Sequence, residues 1–157
     1  MIKGLDGSIL TERINNEEQV IVESYSGAKI HQLKHYVKPT LLEHKPERII
    51  LHVGTNDLCG NGSDNDISNA ILDLAMEINN YGSTPIISSI IARGDRWASK
   101  ARKVNVLLKQ KCAERNICFL DHSNINSGAH LNGSKLHLNR TGTRLLARNI
   151  VEQIRKR

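Results

Sequence analysis

Two short segments, far apart in the chain, carry residue types that can act together on a carbonyl group. Residues 51–57 read Leu-His-Val-Gly-Thr-Asn-Asp, and residues 136–142 read Leu-His-Leu-Asn-Arg-Thr-Gly. The side-chain amide of Asn56 can donate a hydrogen bond to an oxygen that develops negative charge, and the imidazole of His137 can accept and return a proton. These groups indicate acyl-transfer chemistry, which also requires a nucleophile such as a serine.

The elements that carry these segments must place them at one edge of a sheet. Short apolar runs alternate with stretches of helical spacing, which predicts an α/β fold with a parallel sheet covered by helices on both faces. The predicted strands cover 19–23, 48–53, 85–91 and 117–120. The predicted helices cover 28–45, interrupted or restarted at Pro39, a stretch capped by Asp64 or Asp66 that ends before Gly82, then 97–115 and about 139–154. Ligand sites in such sheets gather outside the carboxyl ends of the strands, where residues 54–57 fall.

Length and composition predict one globular domain over residues 1–157. Hydrophobic residues make up 39% of the 157 and charged residues 24%, which is typical of a soluble protein. No apolar run approaches the roughly 18 residues of a membrane span, and the N-terminus lacks the apolar core of a signal peptide. We therefore expect a cytoplasmic or nuclear protein without a membrane span. The oligomeric state is left open.

The sequence predicts no metal site, no cofactor and no disulfide. The three cysteines, Cys59, Cys112 and Cys118, lack a paired spacing. Asp121, His122 and His130 resemble a possible acid/base or metal grouping, but their spacing offers no third metal ligand. No glycine-rich phosphate loop is present. The tripeptide Arg-Gly-Asp at 93–95 is attributed to chance, since it falls in a predicted loop.

A net charge of +6 and a pI near 9.4 raise the question of a polyanionic partner. Seven cations lie around one predicted loop and helix: Arg93, Arg96, Lys100, Arg102, Lys103, Lys109 and Lys111. Solvation of a helix surface explains most of them, and a weak polyanion contact is the alternative. Aromatics are only 3% of the chain, so the stacking residues of single-strand binders are scarce.

The tetrapeptide 54–57, Gly-Thr-Asn-Asp, has two readings. As a site, Gly54 allows close backbone approach and Asn56 presents an amide to an oxyanion. As an ordinary turn, the same residues are common loop formers, and Asp57 is then a turn-stabilising residue rather than an acid.

With the segment Tyr-Ser-Gly-Ala-Lys at 25–29 and the closing Lys-Leu-His-Leu-Asn-Arg-Thr-Gly-Thr-Arg-Leu-Leu-Ala-Arg-Asn-Ile, these motifs resemble successive blocks of the SGNH, or GDSL-type, hydrolase family. The resemblance covers essentially the whole chain and implies a three-layer, flavodoxin-like α/β/α sandwich. It also implies that Gly27 and Asn56 form the oxyanion hole and that His137 is the general base. The segment Leu-Asn-Gly-Ser-Lys-Leu-His-Leu-Asn at 131–139 resembles the corresponding segment of SGNH-like domains found with retroelement proteins in animal genomes.

The chain departs from that family pattern at two positions. The carboxylate expected three residues before the base is replaced by Ser134, which can hydrogen-bond but cannot supply a negative charge. No serine matches the nucleophile, because the chain is expected to begin just after that block, with the first strand of the sheet missing. Ser8, in Asp6-Gly7-Ser8, resembles a scrambled motif with no strand to hold it.

The resulting expectation is an ester or acyl-hydrolase-like domain, inactive or weakly active, whose substrate would be a small ester or acyl compound. Ester turnover would support it. The alternative is a non-catalytic ligand-binding or nucleic-acid-binding remnant, which salt-sensitive nucleic-acid binding would favour.

Overall fold

The computed structural model describes residues 5–14 and 19–156, in which helices alternate with strands. The elements are α1 (Gly7–Arg13), α2 (Ile30–His44), β1 (Arg48–Leu51), a single turn of 3-10 helix (Asp57–Cys59), α3 (Asp64–Asn80), β2 (Thr84–Ser88), α4 (Ala98–Glu114), β3 (Cys118–Leu120) and α5 (Arg140–Ile154). The predicted α/β class with a parallel sheet is confirmed.

The sheet of the described residues has three parallel strands in the order β1, β2, β3. Ile50 pairs with Ile86, and Ile87 pairs with Phe119. The central strand is buried from Pro85 onwards, as a parallel strand covered on both faces should be. β1 and β2 end before their apolar runs do, at Leu51 and Ser88, and the remaining residues of each run enter the loop that follows. β3 ends with its run at Leu120 but begins one residue later, at Cys118.

The strand predicted over 19–23 is wrong for the described part of the chain, because these residues pair with no strand there. The N–H of Val20 donates instead to the side-chain Oγ1 of Thr11 at 2.9 Å. An apolar, β-branched run favours extended backbone, but a strand also requires a neighbouring chain at the right register.

The described residues form two compact units. One unit comprises 27–91 and 96–121 and contains the sheet with α2, α3 and α4. Its core is built from side chains with no more than 1% exposure: Ile71, Leu74, Ile78, Ile87, Val104 and Leu108. The other unit comprises the described residues among 1–26, with 92–95 and 122–156, and contains α1 and α5. The single domain over 1–157 stays a prediction.

Local sequence signals determine most of the helix ends. The Oγ of Ser63 accepts the N–H of Asp66, and the carboxylate of Asp66 accepts the N–H of Ser63, which makes a capping box. Ser63 therefore caps α3, and the prediction of Asp64 or Asp66 as the cap was wrong by a few residues. The predicted break at Pro39 is also wrong, since α2 runs through it. No helix in the described part of the chain has the length and apolar character needed to cross a membrane.

Candidate functional site

The loop that leaves β1 is shaped by Gly54. This residue is buried and has a φ of +98°, a conformation that side chains with a Cβ rarely adopt. A Cβ atom there would lie 3.0 Å from Cδ1 of Ile71 and 3.1 Å from Cδ1 of Ile90. Glycine is thus required for two reasons, and the tight turn, closed by an Asp57 N–H to Gly54 C=O hydrogen bond of 3.1 Å, places Asn56 and Asp57.

Asn56 and Asp57 hold the turn before α2. The Nδ2 of Asn56 donates to the carbonyl oxygen of Ala28 at 2.9 Å. Both carboxylate oxygens of Asp57 accept the N–H of Ile30 at 3.3 Å, at the first residue of α2. Two consecutive residues of one loop therefore fix a segment 27 to 28 positions earlier. Asp57 acts as a structural cap, in agreement with the prediction that it stabilises a turn.

The surroundings of Asp57 disfavour the ionised form of its carboxyl group. Burial raises the pKa of this carboxyl above its ordinary value of 3.8, and the hydrogen bond from Ile30 with the nearby charges of Lys29 and His31 lowers it in part.

Gly27 lies at the start of the turn that Asn56 fixes. It is exposed, its φ is +77°, and no atom lies within 4 Å of where a Cβ would stand. The left-handed conformation suits glycine, and the open space leaves its backbone accessible. The structure therefore brings Gly27 and Asn56, the two predicted oxyanion residues, into neighbouring positions of one unit through the Asn56 bond to Ala28.

His137 belongs to the other unit, on a hairpin whose base is the antiparallel bridge between Leu131 and Leu138. We call residues 132–137 the hairpin tip. The N–H of Asn132 donates to the carbonyl oxygen of His137 at 2.8 Å, and the N–H of Lys135 donates to that of Asn132 at 2.9 Å. The backbone on both sides of the histidine is thus held by local hydrogen bonds.

Ser134 stabilises the backbone of the hairpin tip. Its Oγ accepts the N–H of Leu136 and the N–H of His137, each at 3.3 Å, and donates to Oδ1 of Asn132. The hydroxyl is therefore bonded to the main chain of His137, and among the described residues the ring of this exposed histidine has no hydrogen-bond partner. The role of Ser134 as the position of the usual acid stays a prediction.

The hairpin is anchored to the start of α5. Asn139 caps this helix by accepting the N–H of Gly142 at 2.9 Å, and its Nδ2 donates to the carbonyl oxygen of Ala129 at 2.8 Å. A Cβ at Gly142 would lie 2.3 Å from the carbonyl oxygen of His130, so only glycine permits this packing. The predicted helix beginning near Asn139 is confirmed.

Ser8 lies in the first turn of α1, in the same unit as His137. Its N–H and its Oγ both donate to Oδ1 of Asp6, at 2.8 and 2.6 Å. The side-chain and backbone bonds from Ser8 lower the pKa of Asp6, so this carboxylate is a weak base. A Cβ at Gly7 would lie 2.4 Å from the carbonyl oxygen of Val20, which shows how closely this turn packs. The expectation that no strand holds Ser8 at the sheet edge concerns residues 1–4, which lie outside the described residues, and it stays a prediction.

Two histidine clusters, one around the half-buried His52 and one around the buried His122, were not predicted. Nδ1 of His52 lies 2.8 Å from Oγ of Ser88, at the ends of neighbouring strands. Nδ1 of His122 lies 2.9 Å from Nδ2 of Asn149. The side-chain amides of Asn149 and Asn124 form two hydrogen bonds with each other, each of 2.9 Å. The one sequence signal that the two histidines are shielded from solvent is the apolar run that precedes each of them. Within the described residues no group of three or more His, Cys, Asp or Glu is placed to hold a metal ion.

The seven-cation cluster is partly used inside the protein. Arg93 is buried and forms an ion pair with Asp95, so the Arg-Gly-Asp tripeptide does not display its arginine. Lys100 donates to the carbonyl oxygen of Gly62 at 2.7 Å, and Lys111 donates to three side chains of α3. Exposed cations remain on α4, at Arg102, Lys103 and Lys109, although Lys109 also lies 4.0 Å from a carboxylate oxygen of Asp121.

A family model described as the GDSL-like Lipase/Acylhydrolase family matches residues 5–145. No curated protein matches the chain.

Solved structures of low sequence identity share the fold. A member of the lipolytic G-D-S-L family from Veillonella parvula is 20% identical with a TM-score of 0.77, and the match covers 99% of this chain and 94% of that one. A GDSL-like lipase from Bacteroides thetaiotaomicron is 14% identical with a TM-score of 0.78, with 96% and 83% covered. The esterase EstA from Pseudoalteromonas is 14% identical with a TM-score of 0.74, with 94% and 84% covered.

Proposed function

This chain belongs to the GDSL-like lipase/acylhydrolase family, and from that premise we propose that it hydrolyses small esters or acyl groups with a serine nucleophile. One observation carries the proposal. The family match runs from residue 5 to residue 145 and so spans Ser8, Gly27, Asn56 and His137.

Each of these residues has a proposed role. Oγ of Ser8 attacks the ester carbonyl carbon while His137 takes its proton. The ester C–O bond then breaks, the alcohol leaves with the proton from His137, and an acyl-enzyme remains. Water, deprotonated by His137, hydrolyses the acyl-enzyme to the free acid and restores Ser8. The backbone N–H of Gly27 and the side-chain amide of Asn56 stabilise the negative oxygen of the tetrahedral intermediate. Ser8 is included because the packed first turn of α1 holds it, although its neighbours read Asp6-Gly7 rather than the Gly-Asp order of the family motif.

We propose that turnover is weak. Loss of the carboxylate that orients a catalytic histidine lowers kcat by about 10⁴ in a well-studied triad. We assign that position to Ser134, whose hydroxyl is bonded to the backbone. The hydrogen bond from Ser8 to Asp6 must also break or shift before the hydroxyl can transfer its proton to an imidazole.

Hydrolysis of p-nitrophenyl acetate tests the proposal, with Ser8→Ala, His137→Ala and the double variant. Ser24→Ala and His35→Ala are matched controls, since both residues are exposed and lie outside the proposed site. Ser8→Ala and His137→Ala should each reduce turnover to the same low level, and the double variant should be no worse, because a nucleophile and its base act as one unit. A fluorophosphonate should label the wild type once, at Ser8.

Two outcomes would overturn parts of this scheme. Turnover that survives Ser8→Ala and disappears in His137→Ala would show that another residue or an activated water attacks. A wild type without turnover and without phosphonate labelling would exclude the enzyme function.

The second candidate function is a non-catalytic binding domain, of the kind expected for a retroelement-associated remnant. The exposed cations Arg102, Lys103 and Lys109 on α4 favour a polyanion as its ligand. Anisotropy of a labelled single-stranded RNA, measured at increasing salt, tests this function. Binding that weakens steeply with salt and is lost in the triple alanine variant would support it, and salt-independent or absent binding would reject it.

A further inference from the structure

The hairpin tip that carries His137 is tied to a distant part of the chain by one hydrogen bond. Its other bonds, between Asn132, Ser134, Lys135, Leu136 and His137, are internal. The exception among the described residues is the N–H of Gly94, which donates to the carbonyl oxygen of Lys135 at 2.9 Å. Gly94 and His137 lie in the same compact unit, although 43 positions separate them in the sequence.

The contact between Gly94 and Lys135 leaves no room for a side chain at position 94. A Cβ atom there would lie 2.9 Å from Cβ of Lys135, with Cγ at 3.4 Å and Cδ at 3.5 Å. The nearest atom belongs to the root of the lysine side chain, so a rotamer change cannot relieve the contact. Lys135 itself has a φ of +56°, a left-handed conformation that a glycine would adopt without strain.

The residues that flank Gly94 hold it rigidly. Nε of Arg93 donates to Oδ1 of Asp95 at 2.9 Å, and its terminal nitrogen pairs with the second carboxylate oxygen. This two-point ion pair bridges over Gly94, and its arginine side chain is 5% exposed while the Asp95 side chain is 32% exposed. The 93–95 segment therefore presents the Gly94 N–H in a fixed direction, towards the hairpin tip.

We propose that Gly94, held by the Arg93–Asp95 ion pair, is a positioning residue that places His137 for proton transfer. This inference rests on the proposed function for its catalytic consequence. Proton transfer needs the imidazole within hydrogen-bond reach of the reacting hydroxyl, and a displacement of about 1 Å can reduce a rate by about 100-fold. The base of the hairpin is anchored at α5, and the bond from Gly94 adds the one outside hydrogen bond that the tip itself makes among the described residues, so it constrains where the tip lies.

Gly94→Ala tests the proposal against Gly133→Ala. Gly133 lies in the hairpin tip itself, and no atom would be within 4 Å of its Cβ, so this control adds the same methyl group without a contact. Gly94→Ala should lower kcat for p-nitrophenyl acetate by about 10-fold to 100-fold with little change in KM. Gly133→Ala should retain wild-type turnover.

The rescue variant is Gly94→Ala combined with Lys135→Gly. Replacing Lys135 removes all three atoms that the new methyl group would meet, and glycine accepts the φ of +56°. Turnover should return to within a few-fold of the Lys135→Gly single variant.

Amide hydrogen exchange and the ring NMR shifts of His137 give a readout that does not depend on turnover. Gly94→Ala should speed exchange of the His137 amide and move its ring signals, and the rescue variant should reverse both changes. If exchange and shifts stay at their wild-type values, or if the rescue variant restores nothing, the positioning role is wrong. A wild type without turnover refutes the proposed function alone, because these two measurements still decide whether position 94 places His137.

Discussion

The side-chain amide of Asn56 donates a 2.9 Å hydrogen bond to the carbonyl oxygen of Ala28, one residue beyond Gly27. A primary amide has two N–H donors. One of them holds the turn that contains Gly27, and the other makes no hydrogen bond with any described residue. Asn56 thus shapes the neighbourhood of one proposed oxyanion donor while it retains a donor of its own.

Replacing Asn56 with alanine should therefore affect turnover and stability together. Loss of an oxyanion donor costs about 10² to 10³ in kcat, and loss of the bond to Ala28 should cost about 1 kcal/mol of unfolding free energy. Ester hydrolysis and urea unfolding measure the two effects. Asn61→Ala, at an exposed loop position, is the control, and unchanged turnover in Asn56→Ala would contradict the oxyanion role.

Asp57 should make stability depend on pH. Its folded pKa is raised above 3.8, mainly by burial, so folding favours the protonated form. The stabilisation is complete below the unfolded value and is lost as pH rises through the folded pKa. In Asp57→Asn, whose amide oxygen can still accept the Ile30 N–H, this loss should be absent. Unfolding free energies from pH 3 to pH 7 should therefore shift in favour of the variant as pH rises.

Asp57→Ala provides the contrast. It removes the cap of α2 and should destabilise the protein by about 1 kcal/mol. A wild-type stability that rises relative to Asp57→Asn across the same pH range would contradict the sign of the shift.

Gly54→Ala and Gly82→Ala separate backbone strain from steric crowding. Both residues have positive φ, +98° and +88°, but a Cβ at Gly82 meets nothing within 4 Å, whereas one at Gly54 meets Ile71 and Ile90. Gly82→Ala should cost about 1 kcal/mol for strain alone. Gly54→Ala should cost about 3 kcal/mol, because overpacking adds 1 to 3 kcal/mol. If both variants lose the same unfolding free energy, the core around Gly54 can rearrange to accommodate the methyl group.

Ser134→Asp should raise ester turnover several-fold. One carboxylate oxygen can accept the N–H groups of Leu136 and His137 that Ser134 now accepts, and the other is then available to the His137 ring, where it would stabilise the imidazolium. Ser134→Asn is the uncharged control of nearly the same shape and should give no increase. If both variants behave alike, the missing negative charge is not what limits turnover.

Local patterns in the sequence predicted most of the fold. The apolar stripe of α3, the extent of α4 and the start of α5 near Asn139 depend on residues within a turn or two of each other, and all three are present. The same holds for the position of 54–57 immediately after a buried strand. Such features are determined by hydrophobic periodicity and by side chains that bond the neighbouring backbone, which any reader of the chain can locate.

Tertiary structure alone decided the contacts between residues distant in sequence. The run at 19–23 has the composition of a strand but no partner strand among the described residues. The bond from Asn56 to Ala28 and the bond from Gly94 to Lys135 join residues 28 and 41 positions apart. Each depends on how two separately folded segments pack, and a hydrogen bond forms only within a few tenths of an ångström and a narrow range of angles. Residue types and spacing do not contain that geometry, so the sequence could name Asn56 and His137 but not the residues that hold them.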